Sequence, residues 1–238
     1  MTSPKKLRSI TALLAICCFS GCSQNNSELS SPHSTPLGES PNQLAKRPED
    51  AVQVVQKPLY MQQGAFVERQ NTHSSRGLTE WYFHCYPHFD YAVTTNPFKP
   101  NQVSLQIKKV TLTISCPVTV RIGKQEKSTI DHENGHVQIV KDIYQNAGSA
   151  AKEACLRVIG SQFDGTGNDK NEATADAIDQ ASRAVCKYYT GKTVVVVNAI
   201  SANYDEITQH GNNKIPIPDA IKLATKKYRQ SVLEGPHQ

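Results

Sequence analysis

The hydrophobic period of this chain changes once, near Gly123, and that change limits the fold more than any other feature. Before it, "QVSLQIKKVTLTISC" (102–116) alternates, with Val103, Leu105 and Ile107 on one strand face and Val110, Leu112 and Ile114 on one face further along. The phase slips between Ile107 and Val110, which predicts a bulge or a bend in one long strand or a division into two. "TEWYFHCYPHFDYAVTT" (79–95) is dense in aromatic residues and reads as a strand interrupted at Pro87. After Gly123, Ile130, Val137, Val140, Tyr144 and Ala147 recur at helical spacing. Gly148 is expected to break that helix before a second one, "SAAKEACLRVIGSQF", and "DGTGND" (164–169) reads as a loop. "NEATADAIDQASRAVCKYY" predicts a helix from about Asn171, and an amphipathic helix should start near Asp219, with Ile221, Ala224, Tyr228 and Val232 on one stripe. "KTVVVVNAISANYDEITQHG" opens β-branched and closes polar, so strand and buried helix both stay open. Strands followed by helices define an α+β chain.

The first residues carry an address. Lys5, Lys6 and Arg8 precede the apolar run "ITALLAICCF", and "SGC" follows, the pattern of a secretory signal. The run is too short for a membrane span, which needs about 20 apolar residues. "FSGC" resembles the lipobox of bacterial lipoproteins, with Phe19 departing from the usual aliphatic residue. The resemblance implies a signal peptide over 1–21, lipidation of Cys22, and, with Ser23 next, an outer-membrane destination in the cell envelope. The stretch to about residue 58 is rich in Ser, Pro, Asn and Gln. It cannot bury enough apolar surface to offset its ordering entropy, so 22–58 is expected to be a flexible tether and 59–238 a single domain.

Charge excludes one class of partner. The net charge is +5, but without Lys5, Lys6 and Arg8 there are 23 basic against 21 acidic residues, scattered along the chain. That is no nucleic-acid footprint. Of seven cysteines, Cys17 and Cys18 leave with the signal and Cys22 takes the lipid. Cys85, Cys116, Cys155 and Cys186 remain, an even number in an oxidising compartment, and two disulfides are expected. The favoured pairing is Cys85–Cys116 and Cys155–Cys186; a four-cysteine zinc site lacks the close spacing it would need.

The chemistry concentrates in "STIDHENGHVQIVKDIY". Residues four apart on a helix lie on one face, so His132 and His136 can aim two imidazoles at one metal ion. Glu133 is offset by about 100° around the axis, where it can act as general base on a zinc-bound water. Other candidates are weaker. His84 and His88 are also four apart but flank Pro87, and Asp164 and Asp169 sit among glycines without the ligand alternation of a calcium loop.

"STIDHENGHVQIVKDIY", the later "NYDEITQHG" and the aromatic "TEWYFHCY" together resemble an uncharacterised bacterial family of predicted secreted zinc-dependent proteases. The resemblance covers about Thr79 to Gly211 and implies a zincin-like α+β fold and a zinc-dependent hydrolase acting on peptide bonds. Its substrates would be envelope peptides, proteins or peptidoglycan stem peptides. The alternative readings are a non-catalytic envelope lipoprotein that keeps the scaffold for binding, and a peptidoglycan amidase or endopeptidase. A catalytic zinc takes three protein ligands. For the third, His210 comes with the family motif, whereas Glu172 in "NEATAD" resembles the glutamate helix of gluzincins. The expectation favours His210, with Tyr204 donating to a developing oxyanion and Asp205 orienting a ligand imidazole.

Overall fold

The computed structural model describes residues 48–65, 77–123 and 125–234; the expected signal, Cys22 and most of the expected tether lie outside them. The architecture is mixed α and β. A short 3-10 turn, Pro48–Ala51, leads into β1 (Val52–Gln56) and β2 (Tyr60–Gln63), followed by β3 (Gly77–Trp81), β4 (His84–Asn96), β5 (Lys99–Ser115) and β6 (Pro117–Ile122). Then come α1 (Lys127–Gln145), α2 (Ala147–Leu156), β7 (Gln162–Thr166), α3 (Lys170–Lys192), α4 (Val194–Thr208) and α5 (Ile217–Glu234). The expected tether boundary at residue 58 is therefore too late. "VQVVQ" has the β-branched character of a strand, and β1 pairs in parallel with β5, from Val52 opposite Val110 to Gln56 opposite Ile114.

Two sheets form, β1–β5–β4 with β7 added on β5, and β2–β6–β3. They are successive stretches of one ribbon. Only Cys116 separates β5 from β6, and the partner keeps its register across the gap: His84 faces Ser115 and Trp81 faces Val118. The phase slip read from the sequence is a bulge. Asp90 faces Lys109 but Tyr91 faces Ile107, so Lys108 is the extra residue, and Ile107 and Val110 both reach the core.

Pro87 does not interrupt its strand. It lies within β4 opposite Leu112, and the chain breaks at residues 82–83 instead. β4 is an edge strand, where alternate N–H groups point away from the single neighbour, so a proline can be accommodated without losing a ladder bond.

The helical half needs two corrections and settles one open reading. Asn146, not Gly148, ends α1, and Gly148 lies inside α2. Part of "DGTGND" is the strand β7, where Gly165 is required because a Cβ there would stand 1.9 Å from the Ala173 carbonyl oxygen. The valine-rich segment left open becomes helix α4, with Val197, Ile200, Ser201, Tyr204 and Thr208 buried along one stripe. Positions 197, 200 and 201, 204 and 208 recur about every turn, so the helical period of the polar half extends back through the valines.

The cysteine pairing differs from expectation. Cys85 on β4 bonds Cys186 on α3, with Cα atoms 5.8 Å apart, and Cys116 and Cys155 are buried free thiols. Cys85 stands directly opposite Ile114, which makes Cys116 its diagonal neighbour. Diagonal neighbours sit about 7–8 Å apart, beyond disulfide reach.

Helix α1 is held at both ends of its core stripe. Glu133, Val137, Val140 and Tyr144 are buried at helical spacing. The Tyr144 hydroxyl donates to the Lys57 carbonyl at 2.6 Å, and Gln56 donates to the Tyr144 carbonyl at 2.7 Å, which ties the helix to the strands.

Candidate metal centre

His132 and His136 lie on α1 and Asp205 on α4, and the three side chains converge. Asp205 Oδ1 stands 3.1 Å from His132 Nε2 and 3.0 Å from His136 Nε2. Ligand atoms around a four-coordinate ion bound at about 2.0–2.2 Å lie roughly 3.3–3.6 Å apart, so each of these two histidine–carboxylate spacings is near that of a ligand pair. His210 Nδ1 is 3.7 Å from the same oxygen, and donor atoms of His132, Asp205 and His210 all lie within 4.8 Å of one another; His136 touches this group through Asp205 and is not itself one of the three. The donor chemistry, imidazole nitrogen with carboxylate oxygen, suits a divalent ion.

The two buried imidazoles are braced. Thr208 Oγ1 lies 3.3 Å from His132 Nδ1 and donates its own proton to the Tyr204 carbonyl at 2.7 Å. A hydroxyl already donating can only accept from the imidazole, so the His132 proton belongs on Nδ1. The Nε2 lone pair then faces the Asp205 carboxylate, an arrangement that a cation or a second proton must relieve. His136 lies beneath Trp81, ring centroids 6.2 Å apart at 27°, and the Trp81 indole donates to Asn198 on α4 at 3.1 Å. His136 Nδ1 is buried without a partner among the described residues. Burial by itself would push the Asp205 carboxyl up; with the second proton on the imidazoles, the hydrogen bonds from His132 and His136 outweigh that and hold it well below the usual carboxylate range.

Glu133 heads the buried stripe and turns towards β3. Its Oε2 accepts from the Thr79 hydroxyl at 2.6 Å, and Gly77 makes the room, since a Cβ there would stand 2.6 Å from Oε1. Strand β3 thus places Gly77 and Thr79 on Glu133 and Trp81 on His136.

Tyr204 lies directly against His132. It is fully buried, its ring stacks on His132 at 5.2 Å, and its hydroxyl donates to the His132 carbonyl at 3.3 Å. A Cβ on Gly135 would stand 2.1 Å from that hydroxyl, so the glycine of "HENGH" lets α4 press onto α1. Tyr204 supports His132 from beneath and also lines the cleft beside it, with its hydroxyl engaged by the His132 carbonyl. Asp205, expected to orient an imidazole, touches both imidazoles itself. Glu172 is not brought to the histidines; its carboxylate accepts from the Asn168 N–H at 2.9 Å at the start of α3, where Asp169 caps the helix. His84 and His88 face Ser115 and Thr111 on the edge strand, about 13 Å apart at strand rise, too far for one ion.

Sequence reasoning passed over Gly77, Trp81 and Gly135. The signal for the first two was alternation, since 77, 79 and 81 share one strand face.

A cleft of about 440 Å³ opens beside His132, between Lys127, Ser128 and Asp131 of α1 and the segment 213–218. No protein family, curated protein or solved structure matches this chain.

Proposed function

We propose that this chain is a zinc-dependent hydrolase of zincin type that cuts peptide bonds in the bacterial cell envelope, in proteins or peptidoglycan stem peptides, anchored there by lipid on Cys22. The observation that supports it most is the meeting of His132 Nε2 and His136 Nε2 on one oxygen of Asp205, at 3.1 and 3.0 Å. On this reading His132, His136 and Asp205 hold the ion, Asp205 being a ligand rather than only a support, with His210 in reach of the same centre and Glu172 taking no part. Zinc at such a site supplies a Lewis acid that polarises a carbonyl and makes water more acidic.

The chain's own residues do the rest. Thr208 accepts a hydrogen bond from the Nδ1–H of His132 and so keeps Nε2 free to ligate. Glu133 accepts the proton of the attacking water, and Thr79 holds its carboxylate in one orientation. Tyr204 stiffens α1 beneath His132.

Glu133→Gln tests the base. Zinc content should remain near that of the wild type while hydrolysis of a peptide library falls by roughly 10²–10⁴-fold. Turnover left near normal would sink the assignment. Asp205→Asn, by contrast, should lose zinc, and Glu172→Ala should keep it. One observation favours a second reading: Glu133 is buried and bonded to Thr79, as a purely structural tie between α1 and β3 would be. A wild type that binds zinc, cuts no member of the library and loses thermal stability on Glu133→Gln would establish that scaffold role instead.

A further inference from the structure

His210 differs from the other imidazoles at the site in every respect that governs how firmly a donor is held. The side chains of His132 and His136 are 8% and 9% exposed, and that of His210 is 80% exposed. Thr208 and Tyr204 brace His132, and Trp81 covers His136. His210 has an edge contact with His132 at 6.5 Å and its 3.7 Å approach to Asp205.

Its backbone is unusual as well. Gln209, with φ 49°, and His210, with φ 53°, are both left-handed, and Gly211 follows at φ 82°. Two consecutive side-chain-bearing residues in that region are strained, and such strain persists only where the surroundings hold it. Here the His210 N–H bonds the Asp205 carbonyl at 3.1 Å, and Gly211 packs where an added Cβ would stand 3.1 Å from His132 Cβ. The turn is pinned beside the ligands while its imidazole points to solvent.

We propose that His210 is a detachable fourth protein donor, which closes the metal centre at rest and swings away to open one coordination position. This rests on the metal-dependent reading above. Four protein donors make a closed site of structural type, whereas a catalytic site keeps one position open. The same centre passes between the two forms when the Nδ1 lone pair of His210 leaves and a lone pair of an incoming anion or carbonyl takes its place. No proton or electron moves. His132 and His136 stay because burial and their neighbours fix them, and the half-buried Asp205 stays against both. The site is therefore latent while His210 is bound, and its departure opens the position at which water or a substrate carbonyl can enter, where an anion such as azide binds in their stead.

The test uses cobalt(II) bound to the full chain in detergent, with azide as the incoming anion and visible absorption as the readout. His210→Ala removes the imidazole. His210→Gly removes it and also suits the left-handed backbone. Azide reaches only the open fraction of the wild type, so if that fraction is about a tenth, both variants should bind azide about tenfold more tightly. Their cobalt bands should differ from the wild type before azide is added, and cobalt affinity should fall less than in His132→Ala.

Identical spectra and azide affinities in wild type and variants would overturn the proposal, by leaving His210 outside the coordination sphere. Loss of cobalt from His210→Gly as complete as from His132→Ala would overturn it too, by making His210 a fixed ligand. A wild type that binds no cobalt through His132 would remove the metal reading itself, a distinct failure.

Discussion

The hydroxyl of Thr208 stands 3.3 Å from Nδ1 of His132 and donates to the Tyr204 carbonyl one turn back along α4. One side chain thus sets which nitrogen of a ligand imidazole carries the proton, and couples that choice to the helix that also carries Asp205.

Removing that hydroxyl should weaken the metal centre without dismantling the fold. Thr208→Val keeps the shape and loses the acceptor, so metal affinity should fall by about 10–100-fold, while Thr208→Ser should stay near the wild type. The chain contains one tryptophan, Trp81, and it lies on His136. A cobalt(II) titration followed by quenching of its fluorescence measures the affinity directly. Equal midpoints for the valine and wild-type proteins would show that Thr208 has no part in ligand orientation.

Gly135 and Tyr204 should behave as a coupled pair. A Cβ at Gly135 would stand 2.1 Å from the Tyr204 hydroxyl and 2.4 Å from its Cζ, so Gly135→Ala must push α4 away from α1. Overpacking of this kind costs about 1–3 kcal/mol. In a Tyr204→Ala background the same change should cost little, and a urea-denaturation double-mutant cycle measures the difference. Additive effects would mean that the two helices do not press together at this point.

Alkaline pH should unfold the domain in a defined order. Burial pushes the Cys116 and Cys155 thiols up from 9.0 to about 12, and burial likewise takes the Tyr144 and Tyr204 phenols from 10.0 to about 12. In the unfolded chain these groups lose their protons at ordinary values while the folded chain retains them. The folded state therefore binds more protons between about pH 9 and 12, and its stability, complete below pH 9, falls as pH rises through that window. Urea midpoints measured from pH 7 to 11 should decline from about pH 9. With Cys116→Ala and Cys155→Ala combined, the decline should begin nearer pH 10, where the phenols alone remain. An onset that does not move would remove the thiols from the account.

Much of the site was legible before any tertiary contact. Spacing alone put His132 and His136 on one helical face, and the phase slip at Ile107 and Val110 marked the bulge at Lys108. Both are local patterns, set by the 3.6-residue and two-residue periods of the backbone. What only the tertiary structure decided depends on residues far apart in the chain. Cys85 meets Cys186 across 101 residues, because β4 and α3 pack together while Cys116 lies one diagonal too far. Asp205 reaches His136 across 69 residues, displacing Glu172 from consideration, because Gly135 lets Tyr204 draw α4 close against α1. Sequence spacing dictates direction within one helix or strand. Which carboxylate two imidazoles meet depends on how closely two helices pack, and that distance is a property of the folded core.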